Sequence, residues 1–450
     1  MATDPKLRTG RMARGAITGL AVAQAGVAHL GHLVRRKPAP GEVDARQAEH
    51  EAELGRILFG ALNQLKGTAL KASQLLSMEA SLLPEGVRRE LARGFHQATP
   101  LNRALVHKVF RQEFSRDADD LFQRFDPQAF AAASLGQVHH AELHGGERVV
   151  VKVQYPGIAA SIGSDMGLIR HLLQGLRLTS DLLPGHDIVD RIMTDIEHRL
   201  AEEVDYTHEA GQLQWFGEHA RLADVVVPQP VLSHTTRRVL TMQAVGGLHL
   251  DAWLATQPGQ AARNRAGQCL FDWFMHSVFG WHRLNADPHP GNFLFMPDGQ
   301  LGVIDFGCTK PLSSAFTDRI ARVWCIGLSE VAGGDSTPLR QAYVDLGLIS
   351  PSLSDADFEQ QLMPALAAIR TWQIEPFRQA RFDFANRSAF PVLTAAHRQV
   401  LTRSLIAVPP ELPYFDRAFL GISQLLKTLG AEVAPLTPWI HSSFKESRHV

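Results

Sequence analysis

The chain has 450 residues, 45% hydrophobic and 20% charged, with a formal net charge of −1. That composition is globular, long enough for two domains or one large two-lobed one, and without the basic field that nucleic acid or an anionic membrane would demand. Three scattered cysteines (Cys269, Cys308, Cys325) exclude a disulfide framework or a zinc site, and the histidines show no HExxH or CxxC spacing.

In chain order, Lys6, Arg8, Arg11 and Arg14 precede a small apolar stretch, Gly15 to Val34, closed by Arg35, Arg36 and Lys37. Its length would just span a bilayer, but Thr18, Gln24, His29 and His32 interrupt it. Ile17, Leu20, Val27, Leu30 and Val34 follow a heptad seam, and Gly15, Gly19 and Ala23 recur every four residues. The pattern predicts a helix packed on a partner or lying at a membrane surface. No secretory cleavage pattern follows, and an Arg-rich, acid-poor leader also fits a transit peptide. The location expected is cytoplasmic, with peripheral membrane contact, and organellar targeting stays open.

"KPAPGEVD" (Lys37 to Asp44) reads as a linker, then Ala45 to Met78 reads as helix with Leu54, Ile57, Leu58, Leu62 and Leu65 on one face. Pro84 and Pro100 punctuate short helices up to Arg116. Phe130 to Leu143 and Arg148 to Gln154 predict an antiparallel hairpin. Two long helices follow, Ile158 to Leu178 and Ile188 to Glu218, then strands in "VVVPQPV" and "RVLTMQ". After Gly246 and Gly247 the chain reads as helix to Gly430, except a hairpin in "NFLFMPDGQLGVID" turned by Pro297-Asp298-Gly299. The order predicts an α+β, two-lobed fold with segments 1–36, 37–116, 117–245 and 246–450.

The chemistry concentrates in "NADPHPGNFLF" and "VIDFG". A stretch so rich in proline is a stiff loop. Phosphoryl chemistry on a nucleotide requires a loop over the phosphates, a strand lysine with a helix glutamate, an Asp-x4-Asn loop and a following Asp-Phe-Gly, in that chain order. Here the order is Ala131 to Gln137, Lys152, a glutamate on the second long helix, Asp287 with Asn292, and Asp305-Phe306-Gly307. Alone, Lys152 reads as a snorkelling strand residue, Asn292 as a left-handed turn and "DFG" as a tight turn. Together, each on the element type it needs, they point to a Mg-nucleotide site.

The set "AAASLGQVHHAEL", "VVVKVQYPGI", "EEVDYTHEA", "NADPHPGNFLF" and "VIDFG" resembles the UbiB/AarF (ADCK-type) group of atypical, protein-kinase-like proteins, from Leu54 to Leu429. The resemblance implies a small β-containing N-lobe, a helical C-lobe and an N-terminal helical extension. It implies Lys152 as phosphate-contacting lysine with Glu209 as its partner, Asp287 as the catalytic-loop acid, and Asn292 and Asp305 as Mg²⁺ ligands. Nucleotide contacts would come from Ala131, Ala132, Ala133, Ser134, Gly136, Gln137 and Met242. "LKASQ" stands at the group's KxGQ motif, so Lys71 and Gln74 carry over to it, and the resemblance implies that the lysine reaches Glu203 and Asp205. The cofactors implied are ATP or ADP with Mg²⁺. The partners implied are isoprenoid lipid or quinone intermediates and quinone-pathway proteins, with no nucleic acid.

Alanines stand where ordinary kinases carry glycines over the phosphates, forbidding positive φ and close backbone approach, so the loop should hold nucleotide differently. The resemblance implies poor protein phosphorylation with ATP hydrolysis favoured. Three residues depart from the group's pattern. Ser73 replaces a glycine and weakens the expected docking of the extension, Asn285 replaces a histidine, and Gln243 replaces an acid. Asn285 retains hydrogen bonding but does not titrate near neutrality. Three functions follow: an ATPase supporting ubiquinone or lipid handling, a phosphotransferase on a protein or small molecule, and a nucleotide-gated scaffold of a membrane complex.

Overall fold

The computed structural model describes residues 19–21, 23–25, 27–28, 43–65, 68–78, 85–92, 103–133, 135–179, 186–329 and 334–435. The chain divides into two compact units, Met1–Gly211 with Pro230–Ala244, and Gln212–Gln229 with Val245–Val450. The helical extension therefore belongs to the same unit as the main sheet, and 212–229 belongs with the C-terminal half.

In the first unit, α1 (Val43–Leu65), α2 (Thr68–Met78) and α3 (Glu85–Ala92) pack with α5 (Ile158–Thr179) and α6 (His186–Glu203) around one apolar core. Leu54, Leu58 and Leu62 enter it, on the face the sequence marks. A Cβ on Gly55 would lie 2.9 Å from the Val87 Cα, so that glycine permits the close approach of α1 and α3. Ser73 is fully buried within α2, so the extension docks despite the added hydroxyl.

The expected N-terminal seam is only partly within the described residues. There Leu20, Val27, Gly19 and Ala23 are exposed, while Ala21 and Ala25 are buried in this core. The stripe packed within this unit is thus Ala21, Ala25 and Ala28, and the described seam residues Leu20 and Val27 stay on the exposed face. No helix among the described residues is long and apolar enough to cross a membrane.

The sheet of this unit runs β1 (Arg124–Phe125), β3 (Gly136–Glu142), β4 (Arg148–Gln154), β6 (Val239–Gln243), with β2 (Ala131–Ala133) also on β3, all antiparallel. Val149, Val151, Val153 and Val239 pack on one face against Val106, Val109 and Phe110 of α4 (Arg103–Phe114). The helix expected over Ile188 to Glu218 breaks at Val204-Asp205 into α6 and α7 (Tyr206–His219). Asp205 starts the second helix by accepting from the Thr207 amide at 3.1 Å, turn chemistry that competes with helix continuation. Of "VVVPQPV", only β5 (Val225–Val226) is a strand, since Pro228 and Pro230 cannot donate to a ladder.

In the second unit β5 runs parallel to β9 (Leu301–Val303), which also pairs β8 (Phe293–Phe295). A second ribbon pairs β7 (Arg283–Asn285) with β10 (Thr309–Pro311). The helical body includes α8 (Gln260–Met275), α9 (Ser314–Ser329), α10 (Met363–Ile374) and α11 (Leu412–Leu429), and β11 (Phe382–Asp383) pairs β12 (Glu432–Val433) beyond them. Phe415, Ala418, Phe419, Ile422, Leu425, Leu426 and Leu429 form the buried face of α11, which Gly430 ends in a left-handed cap at φ 60°.

Arg387 anchors this core. It is 2% exposed, its guanidinium lies 3.8 Å from the Trp372 ring centroid, and it donates to Ser423 Oγ at 2.8 Å and the Trp372 carbonyl at 3.0 Å. Burial pulls it down to about 10, against the attraction of Glu375, so it stays charged at neutral pH. Replacing Arg387 with Ala leaves a cavity and two bereft acceptors and should cost about 3 kcal/mol in urea unfolding.

Asp416, bonded to Gln373 Nε2 at 3.3 Å, has the opposite problem: burial pushes its carboxyl from 3.8 up to about 7. The folded state therefore binds a proton that the unfolded state has released, and this contribution, present at low pH, is lost as pH rises through about 7. Urea midpoints measured across that window should fall more steeply with pH for wild type than for Asp416→Asn.

Candidate active site

The first unit supplies a cation on a strand. Lys152 Nζ donates to Glu209 Oε1 at 2.6 Å, with side-chain exposures of 9% and 7%. Strand β4 presents the lysine and the first turns of α7 the glutamate. Register sorts the residues around the pair. Lys152 lies opposite Val138 and Leu240, Met242 opposite Val150, Ala131 opposite Val138, and Ala133 opposite Gly136. Opposed residues in an antiparallel pair share a face, as do residues two apart on one strand. Ala131, Ala133, Gly136, Lys152 and Met242 therefore share one face.

Ala132 and Gln137 lie on the other face. Gln137 is 1% exposed and its Nε2 is 2.8 Å from His139 Nε2. Its side chain belongs to the face away from Lys152, correcting the expectation that it contacts nucleotide there. Ser134 lies outside the described residues. Gly136 is needed for closeness: a Cβ there would sit 2.5 Å from the Val153 carbonyl oxygen and 2.9 Å from the Tyr206 hydroxyl. The alanines are extended strand and so need no positive φ.

In the same unit, Lys71 meets Glu203 at 2.7 Å. Asp205 instead faces Arg237 at 3.2 Å. Burial works against its charge, but the Thr207 hydrogen bonds and Arg237 hold its carboxyl below the usual range. The expected lysine contact is thus with the first acid of E-x-D, and the second serves the start of α7. The Gln74 side chain lies outside the described residues.

The second unit supplies the carboxylates. Pro290 begins a single 3₁₀ turn, Pro290–Asn292, and His289 Nδ1 accepts from the Gly291 amide at 3.0 Å. Asn292 Nδ2 donates to the Asp287 carbonyl at 3.0 Å and to Asp287 Oδ2 at 2.9 Å, while Arg417 donates to Asp287 Oδ1 at 2.7 Å. Asn285 joins the loop to the next strand: its Nδ2 donates to the Asp305 carbonyl at 2.9 Å and its Oδ1 accepts from the Asp287 amide at 3.3 Å. An amide makes both bonds without changing charge, so the replacement of histidine keeps the bridge.

Asn292 and Asp305 are brought together by the Ile304 amide donating to the Asn292 carbonyl at 3.0 Å. Asn292 Nδ2 is committed to Asp287, and the Asp305 carboxylate accepts from the Gly307 amide through Oδ1 at 3.1 Å. An amide oxygen and a carboxylate are the hard donors that Mg²⁺ takes, its remaining positions ordinarily filled by waters and phosphates. Among the described residues no three His, Cys, Asp or Glu side chains gather as a metal site. Phe306 is fully buried, with ring centroids 4.8 Å from Phe216 and 6.0 Å from Trp273, which seats the turn after Asp305.

Sequence reasoning missed Arg417. Its signal was the helical spacing of Tyr414, Arg417 and Gly421, a face left free by the apolar residues of α11.

Comparison with known proteins adds the following. A family model described as the ABC1 atypical kinase-like domain matches residues 93–332. The chain is 29% identical over 380 residues to the atypical kinase COQ8, mitochondrial, of Saccharomyces cerevisiae, spanning 82% of this chain and 72% of that protein. It is 30% identical over 449 residues to the atypical kinase COQ8B, mitochondrial, of Rattus norvegicus, spanning 96% and 80%. Among solved structures, the complex of Rv3197 with erythromycin from Mycobacterium tuberculosis matches with a TM-score of 0.61 at 23% identity, covering 90% of this chain and 97% of that one. At that identity the likeness concerns the fold, which is α+β and kinase-like.

The Lys152–Glu209 pair makes a sharp stability prediction. Lys152→Met takes from the buried Glu209 its 2.6 Å partner. That should cost about 3 kcal/mol or more in urea unfolding, whereas Lys152→Met with Glu209→Leu should recover most of the loss. A double variant as unstable as the sum of the two single ones would contradict the pairing.

Proposed function

The chain belongs to the ABC1 atypical kinase-like family, and on that footing we propose that it is a Mg²⁺-dependent, nucleotide-binding ATPase. The observation that carries the reading is the bonding of Asn292, whose amide nitrogen is spent on Asp287 while the Ile304 amide ties its backbone to the residue before Asp305. A loop residue used only to make a turn would not need that second commitment.

In this reading Lys152, oriented by Glu209, contacts the nucleotide phosphates as a point charge. Ala131, Ala133, Gly136 and Met242 form the surface around it. Asn292 and Asp305 hold Mg²⁺, which when bound neutralises phosphate charge. Asp287 orients the attacking group. Its two oxygens already accept from Asn292 and Arg417, so its remaining lone pairs are aimed rather than free to rotate.

Hydrolysis is favoured over transfer to protein for two reasons. The covering strand is alanine, extended and without the closeness that glycine allows. The extension is docked through Lys71 and Glu203 and a fully buried Ser73. The biological role we infer is support of isoprenoid-quinone (ubiquinone) formation or lipid handling, at peripheral contact with a membrane. It rests on the resemblance to the UbiB/AarF group and on the COQ8-type relatives.

The test measures ATP and ADP affinity, with and without Mg²⁺, and the basal ATPase rate with and without anionic liposomes. Asp305→Asn should weaken Mg-nucleotide binding and turnover by about tenfold or more, since it removes one charged metal ligand. Unchanged binding and turnover in that variant would sink the reading.

A further inference from the structure

Asp287 is held from a helix that lies far along the chain. Arg417 on α11 donates through Nη2 to Asp287 Oδ1 at 2.7 Å, across 130 residues of sequence. Neither partner is fully buried, with side-chain exposures of 21% and 26%. One turn further on, Gly421 meets the neighbouring Pro288: a Cβ there would lie 2.1 Å from Pro288 Cγ and 2.6 Å from its Cβ. No side chain larger than hydrogen fits, and a proline ring has little freedom to withdraw.

The same helix touches the segment that follows Asp305. Lys310 Nζ on β10 lies 5.6 Å from the Tyr414 ring centroid, and Ser313 Oγ donates to Glu411 Oε1 at 2.9 Å. Tyr414, Arg417 and Gly421 fall at i, i+3 and i+7, one stripe of a helix. The opposite stripe is seated in the core, so the position of Arg417 is set by packing rather than by its own ion pair.

We propose that Arg417 is a positioning residue for Asp287, and that α11 is the brace that sets the orientation of the catalytic-loop carboxylate. The proposal rests on the reading of Asp287 as the acid that orients the attacking group. Asn292 holds Oδ2 and Arg417 holds Oδ1, so the carboxylate plane is defined from two sides. A guanidinium suits the task because its fork is planar and permanently charged, whereas a lysine ammonium would restore charge without the same direction.

The experiment compares wild type, Arg417→Ala, Arg417→Lys, Asp287→Asn and the Asp287→Asn/Arg417→Ala pair. Arg417→Ala should lower kcat for ATP by about tenfold or more, with Mg-ADP affinity within about twofold of wild type. Arg417→Lys should recover part of the loss. In the Asp287→Asn background the Arg417 substitution should add nothing. Unchanged kcat in Arg417→Ala overturns the proposal. So does a loss that appears equally in nucleotide affinity, or one that adds in full on top of Asp287→Asn.

A second arm needs no turnover: a double-mutant cycle of Arg417→Ala with Asp287→Ala, read by urea unfolding. Coupling between the two supports the contact, and its absence overturns it. A wild-type chain that binds no Mg-nucleotide defeats the functional reading instead, and the cycle then still decides whether Arg417 holds Asp287.

Discussion

A loop with two prolines between Asp287 and Asn292 has few backbone bonds to hold it, and everything at the site depends on how its side chains are braced. The solution is local and dense. Asn292 reaches back to Asp287, Asn285 reaches across to Asp305, and Arg417 closes the far side. Each brace is anchored in an element with its own reason to be rigid: a 3₁₀ turn begun by Pro290, the β7–β10 ribbon, and the core-seated α11. The stiffness of the loop and the fixed spacing of its polar groups are therefore one property.

The lysine of the first unit obeys a different constraint. A charge at 9% exposure is tolerable only with a partner, and Glu209 sits at 2.6 Å. The pair in turn depends on strand register. Shifting β4 by one residue against β3 would turn Lys152 toward the face of Val151 and Val153, among the apolar residues packed on α4. Val149, Val151 and Val153 on one side of β4 and the lysine on the other make such a slip costly, so core packing and the placement of the charge enforce each other.

Much of the arrangement was legible in the sequence because it is local. Asp287, Asn292 and Asp305 are close in the chain, and their element types follow from proline, alternation and a Pro-Asp-Gly turn. The face of Gln137 was not legible, since motif position says nothing about which side of a strand a residue occupies. Nor was the break before Tyr206, where Asp205 prefers to start a helix than to continue one. At the N-terminal helix several periodic stripes coexist, and the sequence did not show that the alanine stripe of Ala21 and Ala25 would be the one packed in this core. Arg417 was missed for a plainer reason: the spacing of Tyr414, Arg417 and Gly421 marks a face of α11 but not its partner, which lies 130 residues away.

The departures from the group's pattern can be judged by what each atom does in place. Ser73 adds a hydroxyl in a fully buried position, yet Lys71 on the same helix still reaches Glu203. Asn285 in place of a histidine keeps one donor and one acceptor, and the structure uses both, on Asp305 and Asp287. What is lost is the capacity to gain a proton. A histidine there would make the loop's bracing depend on pH near neutrality, because a protonated ring cannot accept from the Asp287 amide. Asparagine removes that dependence, so the bridge between the loop and Asp305 keeps both of its bonds wherever the fold itself persists.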